Sequence, residues 1–308
     1  MQVATTPTSL NVDFGDDLSA SQTLADFSAL ALKAPLLAGP CRQLLLKGGD
    51  TRQHGSFLVS ETPSRLAGVA AIPVHGSLEG PSFRLYRELL EIIGTRQIHR
   101  AWNYVPHIND HEGELENYRA FNIGRHQAFE QAFGDRCTRC MSPASAVGIR
   151  DERLALAFIA GKDLIENIEN PEQTPAYRYP SEHGPKSPSF TRGGHGIIDG
   201  TPYGFLSGTS SIKDHRSIGT DIASQFATTV DNMRIVVDRM GYTGALGDGA
   251  GMRRDFTFYL RRTDDLGAAR ELFRGVVGDK GIAQTRFLCA DICRAELLLE
   301  IEGMFWRP

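Results

Sequence analysis

From residue 65 onward the apolar positions change period in a regular order. Residues 65–74 (RLAGVAAIPV) form an apolar run of strand length. Residues 81–94 (PSFRLYRELLEIIG) place apolar side chains at helical spacing, with Pro81 at the start and Gly94 at the end. Residues 98–108 predict a strand and 112–134 a long helix, and SAVGIR and LALAFIAG predict two more strands. The order then returns: strand 203–212, helix 219–241, strand 255–262, helix 265–278, strands 285–293 and 296–305. Both halves read β-α-β-α-β-β, a repeat of pattern without residue identity. The expected fold class is α+β, with two units in one chain, each a sheet with helices on one face. The expected boundaries are an N-terminal extension of loops and short strands with a mobile start (1–60), a first half (61–165), a loop rich in Pro, Gly and Tyr (166–200) and a second half (201–308).

The totals narrow the function classes. The 308 residues, 41% hydrophobic and 23% charged, suit a large globular core. A net charge of −4 gives no basic surface for a nucleic-acid backbone. No apolar run is long enough for a transmembrane helix, and the N-terminus lacks the basic and apolar regions of a signal peptide, so a cytoplasmic protein is expected. Five scattered cysteines argue for reduced thiols rather than a disulfide framework. There is no GxxxxGK[ST] phosphate loop. His107, Asp110, His111 and Glu112 fall close together, but Asn109 and Asp110 read as the cap of the following helix, so no metal site is expected.

Three groups of residues carry candidate chemistry. Tyr118 and Arg125, seven apart, share one face of the 112–134 helix. The central loop offers Tyr177 and Tyr179, which would share a strand face, followed by Arg192. In the last strand Glu300 alternates with Leu298, while Glu296 and Glu302 read as a solvated outer face, so Glu302→Gln is expected to change little. Two arginines, several phenols and a carboxyl among leucines suit a small dianion. Arginine holds carboxylates bidentately, and a desolvated carboxyl stays protonated near neutral pH.

WNYVPHIND followed by ENYRAFNIGR, then AYRYPSEHGPKSPSFTR, FLSGTSSI and ADICRAELLLEIEG, resemble the chorismatases over residues 65–306. The resemblance implies a RidA (YjgF)-like fold doubled in one chain. It also implies cleavage of chorismate to pyruvate without a cofactor or metal. The proton donor would be Glu300. Tyr118, Arg125, Tyr177 or Tyr179, and Arg192 would hold the carboxylates and ring hydroxyl, and Thr209 and Ser210 of SGTSS would line the ring. Cys293, seven residues before Glu300, implies the 3-hydroxybenzoate-forming type; a dihydroxycyclohexadiene carboxylate or a mixture of 3- and 4-hydroxybenzoate is the alternative product. A tight hairpin at Arg294–Ala295 would instead bring Cys289 opposite Glu300. Ser210 stands where family members usually carry Ala or Gly, and KDH at 213–215 departs from the usual run. The rival class is a RidA-like carboxylate-binding or imine-deaminating protein. The expected partner is small-molecule chorismate, not nucleic acid or membrane; the sequence sets no oligomeric state and is compatible with a monomer.

Overall fold

The computed structural model describes residues 9–16, 21–23, 28–248 and 251–307. The mobile start expected for the chain falls on residues 1–8, outside the described residues.

The first unit contains β1 (Asp50–His54), β2 (Phe57–Glu61), β3 (Arg65–Pro73), α1 (Glu79–Ile93), β4 (Gln97–Pro106), α2 (Asn117–Phe133), β5 (Ala144–Ile149) and β6 (Arg153–Gly161). The second contains β7 (Glu166–Ile168), β8 (Gly193–Ile198), β9 (Thr201–Thr209), α3 (Ile222–Arg239), β10 (Arg253–Leu260), α4 (Leu266–Gln284), β11 (Arg286–Cys289) and β12 (Leu299–Trp306). The first sheet runs β5-β4-β6-β3-β2-β1 and the second β11-β10-β12-β9-β8-β7, with the short strand Leu36–Ala38 added antiparallel beyond β11; the six strands of each unit follow the same order. In each, one pair is parallel (β4 with β5, β10 with β11) and the last strand inserts antiparallel between the third and fourth. The repeat of pattern is therefore a repeat of topology. Pairing draws both units wider than the expected boundaries: residues 50–61 complete the first sheet, while β7 and β8 complete the second out of the stretch expected to be loop.

The apolar periods explain the layers. In β6, Leu154, Leu156 and Phe158 pack under α1 and α2, while Ala155, Ala157 and Ile159 face the opposite way. Burial on both faces makes LALAFIAG continuous rather than alternating. The second face is covered by a four-stranded sheet (Ser21–Thr23, Ser28–Lys33, Ser9–Gly15, Arg42–Lys47), whose Leu10, Val12, Leu30 and Leu32 join that core. In β12, Leu299, Ile301 and Phe305 pack under α3 and α4, which leaves Glu300 and Glu302 on the helix-free face.

Local details differ from the sequence reading. Helix α2 starts at Asn117, not 112, because residues 111–116 form a small hairpin turning at Gly113 (φ +65°). Asn109 and Asp110 do not cap it: Asn109 Nδ2 donates to the Ile292 carbonyl at 3.1 Å, and Asp110 closes a turn on His107. Because β12 inserts between β9 and β10, β11 and β12 never pair, so the hairpin that would carry Cys289 to Glu300 does not exist.

Candidate active site

Where the edge strand β5 meets the end of β9, roofed by residues 176–192 and flanked by α2, lies a cavity of about 380 Å³. That is within the roughly 300–1,000 Å³ usual for small-molecule sites. Helix α2 supplies Tyr118 and Arg125 from one face, as their spacing requires. It approaches α1 so closely at Gly124 that a Cβ there would lie 2.0 Å from the Glu79 carbonyl oxygen, which sets the depth of Arg125. Arg125 is 2% exposed, its Nε and Nη2 have no hydrogen-bond partner among the described residues, and its guanidinium lies 4.8 Å over the Tyr86 ring. A buried cation without a counter-charge is costly, so an arriving carboxylate would be bound strongly.

Opposite stands Glu300, 4% exposed. Its Oε2 is 3.4 Å from Ser210 Oγ, and its Oε1 has no partner among the described residues. Burial first, and then the charge of Glu302, push its pKa up to about 8, against the pull of Arg100, Ser210 and Arg192. The carboxyl is therefore protonated at neutral pH and points into the cavity. A register shift in β9 between Leu206 and Thr209 turns Gly208 toward it, and a Cβ on Gly208 would lie 1.9 Å from Glu300 Oε1.

The roof adds Tyr179 and Arg192. Arg192 Nη2 donates to Tyr179 Oη at 2.7 Å, and the guanidinium lies 5.2 Å over the Phe190 ring. Cys293, in the crossover between β11 and β12, also lines the cavity. Enclosure and the neighbouring Glu300 push its thiol up to about 12, so it is a neutral thiol. Cys289 is elsewhere, on β11, with its sulfur 3.8 Å from the Arg261 carbonyl.

Of the expected residues, Glu300, Cys293, Tyr118, Arg125, Tyr179, Arg192 and Ser210 share this cavity. Tyr177 and Thr209 do not line it. Residues 176–178 form a single 3-10 turn, so Tyr177 and Tyr179 diverge instead of sharing a strand face. Thr209 Oγ1 turns back to donate to the Ser207 carbonyl at 2.9 Å. Arg294 was missed: it lies 5.5 Å over the Tyr179 ring, and its Nη2 is buried without a partner among the described residues. Only its place beside Cys293 hinted at it.

The largest correction concerns Glu302. It is not solvated but 2% exposed. Arg100 Nη2 donates to it at 2.6 Å, Trp102 Nε1 at 3.0 Å and Tyr259 Oη at 3.0 Å, and Ser145 Oγ contacts it as well. The two carboxyls of one strand face thus have opposite environments. Glu302 is held by four donors, and Glu300 is nearly without partners.

The family described as "Chorismatase FkbO/Hyg5-like, N-terminal" matches residues 47–160. A 3-hydroxybenzoate synthase of Streptomyces hygroscopicus is 35% identical over 229 residues, covering 70% of this chain and 66% of the synthase, just under two thirds of its length. A chorismatase of Streptomyces rapamycinicus is 30% identical over 273 residues, 83% of this chain and 78% of that one. A chorismatase crystal structure superposes with a TM-score of 0.84 over 96% of this chain and 92% of its own, at 26% identity. A YjgF-family protein of Mycobacterium tuberculosis aligns over 37% of this chain and 84% of its own, at 19% identity and a TM-score of 0.29; the doubling itself is read from the strand orders above. With 30% identity across more than three quarters of a chorismatase, and a shared fold along nearly all its length, this chain belongs to the chorismatase family.

Proposed function

We propose that this protein cleaves the enolpyruvyl ether of chorismate to pyruvate and 3-hydroxybenzoate, with Glu300 as the proton donor. The observation that carries the reading is the protonated, nearly partnerless Glu300 carboxyl facing a cavity that also holds the unpaired Arg125 guanidinium. A dianion meets cationic groups there and a neutral acid beside the bond to be broken.

Arg125 takes one carboxylate, and Arg192, set by Tyr179, takes the other, with Arg294 beside it. Glu300 gives its proton to the enolpyruvyl methylene. The ring C3–O bond breaks, its electron pair stays on the departing oxygen, and that oxygen becomes the ketone of pyruvate. The ring hydroxyl oxygen closes on C3 as an epoxide, and its proton returns to Glu300. The epoxide then opens by breaking its C4–O bond, the oxygen stays on C3 and takes a proton, and loss of the C3 hydrogen as a proton gives the aromatic ring. The atoms of chorismate are all accounted for in the two products, and no water is consumed. Cys293 lies beside Glu300 as a neutral thiol, placed to steer the ring toward aromatisation.

The experiment is purified protein with chorismate in the presence of a chelator, with pyruvate measured by coupled lactate dehydrogenase and ring products by chromatography. Pyruvate and 3-hydroxybenzoate in equal amounts are expected. No pyruvate above the spontaneous rate overturns the enzyme reading in favour of a binding protein. In the same assay Cys293→Ala is expected to keep releasing pyruvate while its ring products shift toward the dihydroxy-diene acid or 4-hydroxybenzoate, and Cys289→Ala to leave the ratio alone. An unshifted ratio in Cys293→Ala would make the thiol structural and leave Ser210, next to Glu300, as the better determinant of product.

Gly208→Ala tests placement. The clash of 1.9 Å is with the far end of a flexible side chain, so the fold survives and the Glu300 carboxyl moves. A displacement on the order of 1 Å costs about 10²-fold in rate. That loss, with an unchanged thermal midpoint, is the expected result.

A further inference from the structure

At the mouth of the cavity, Glu182, His183 and His215 come together from two segments. The turn Ser181–His183 belongs to the roof. His215 sits at the tip of the hairpin in which Ile212–Lys213 pairs with Arg216–Ser217. His183 Nε2 is 3.0 Å from His215 Nδ1, His215 Nδ1 is 3.2 Å from Glu182 Oε1, and His183 Nε2 is 3.5 Å from Glu182 Oε1. A tetrahedral zinc ion with bonds of about 2.0–2.1 Å to nitrogen and oxygen separates its ligands by roughly 3.3 Å. The three atoms thus form one face of such a tetrahedron. When His183 donates to His215 Nδ1, that nitrogen still faces a carboxylate oxygen, acceptor to acceptor; when His215 Nδ1 carries the proton, His183 Nε2 and Glu182 Oε1 face each other as acceptors at 3.5 Å. A cation satisfies all three.

A second observation concerns the far side of His215. Its Nε2 is 3.6 Å from Asp214 Oδ2, and the other oxygen of that carboxylate takes the Thr174 hydroxyl. Asp214 adopts a left-handed φ of +52°, which its residue type tolerates in a tight turn. A carboxylate behind a ligating histidine fixes the tautomer that frees the other nitrogen for a metal.

We propose that Glu182, His183 and His215 bind one divalent transition ion, zinc by preference, and that the ion pins the roof to the 212–217 hairpin. The fourth position is left for water. The ion is structural. The His183 ring packs on Tyr179 (centroids 5.2 Å apart), and Tyr179 holds Arg192, so the ion would order the roof without entering the chemistry.

The test needs no turnover. Metal-free, reduced protein is titrated with Co²⁺ followed by visible absorption, and with Zn²⁺ by calorimetry. One equivalent is expected, with the d–d bands of a four-coordinate ion and a higher thermal midpoint. Binding should weaken at least tenfold in His215→Ala and in Glu182→Gln, whose exposed side chain makes misfolding no explanation. Asp214→Asn, which keeps the turn, should weaken it by about 10–100-fold. Equal binding by wild type and both ligand variants overturns the proposal. So does a thiolate charge-transfer band, which would place the ion on a cysteine.

Discussion

Glu300→Gln is expected to lower pyruvate release from chorismate by about 10²–10⁴-fold, the usual worth of a positioned proton donor. Glutamine keeps the shape and the 3.4 Å approach to Ser210 but has no acidic proton. The variant should fold at least as well as wild type, because a neutral amide replaces a carboxyl that the site already keeps neutral. Wild-type activity should also fall as pH rises through about 8, where Glu300 loses its proton. The sign for stability is the same. A carboxyl raised from 4.5 to about 8 contributes stability that is complete below 4.5 and lost as pH rises through about 8. A pH–rate profile and thermal midpoints across pH 4–9 check both. A profile flat through pH 9, or a Gln variant with wild-type rate, would show that another group donates the proton.

Glu302→Gln is expected to cost far more stability than its place on a strand face implies. The substitution leaves the Arg100 guanidinium, 1% exposed, without its carboxylate. Breaking one partner of a buried pair destabilises by about 3–5 kcal/mol. Denaturant unfolding would measure the loss. The variant also alters the active site at a distance. The Glu302 charge raises the Glu300 pKa, and Arg100 lowers it. Removing the anion and freeing the cation act in the same direction, so the alkaline limb of the rate profile should move to lower pH. A variant as stable as wild type with an unmoved profile would return Glu302 to the solvated role read from the sequence.

These two carboxyls show where sequence reading stops. Glu300 and Glu302 stand two apart on one strand, and period-two alternation makes them equivalent. What separates them lies far along the chain. Arg100, Trp102 and Ser145 reach Glu302 from the first unit, while Gly208 and Ser210 stand beside Glu300. Tyr118 and Arg125 were legible together because helical spacing is local, whereas Tyr177 was misplaced because one 3-10 turn in a long loop leaves little trace in composition. Cys293 and Cys289 could be told apart only once β12 was known to insert between β9 and β10.

The sequence by itself determined the element order, the doubled β-α-β-α-β-β pattern, the helix face carrying Tyr118 and Arg125, and the residue types suited to a small dianion. Those follow from periodicities of two and 3.6 residues and from side-chain chemistry, which are properties of neighbours along the chain. The tertiary structure alone decided which carboxyl keeps its proton, which thiol shares its cavity, that Arg125 has no counter-charge among the described residues, and that His183 meets His215. Each depends on which distant groups are brought within a few ångströms and on how much water is excluded between them. Strand pairing and burial set those distances, and a single sequence does not state them.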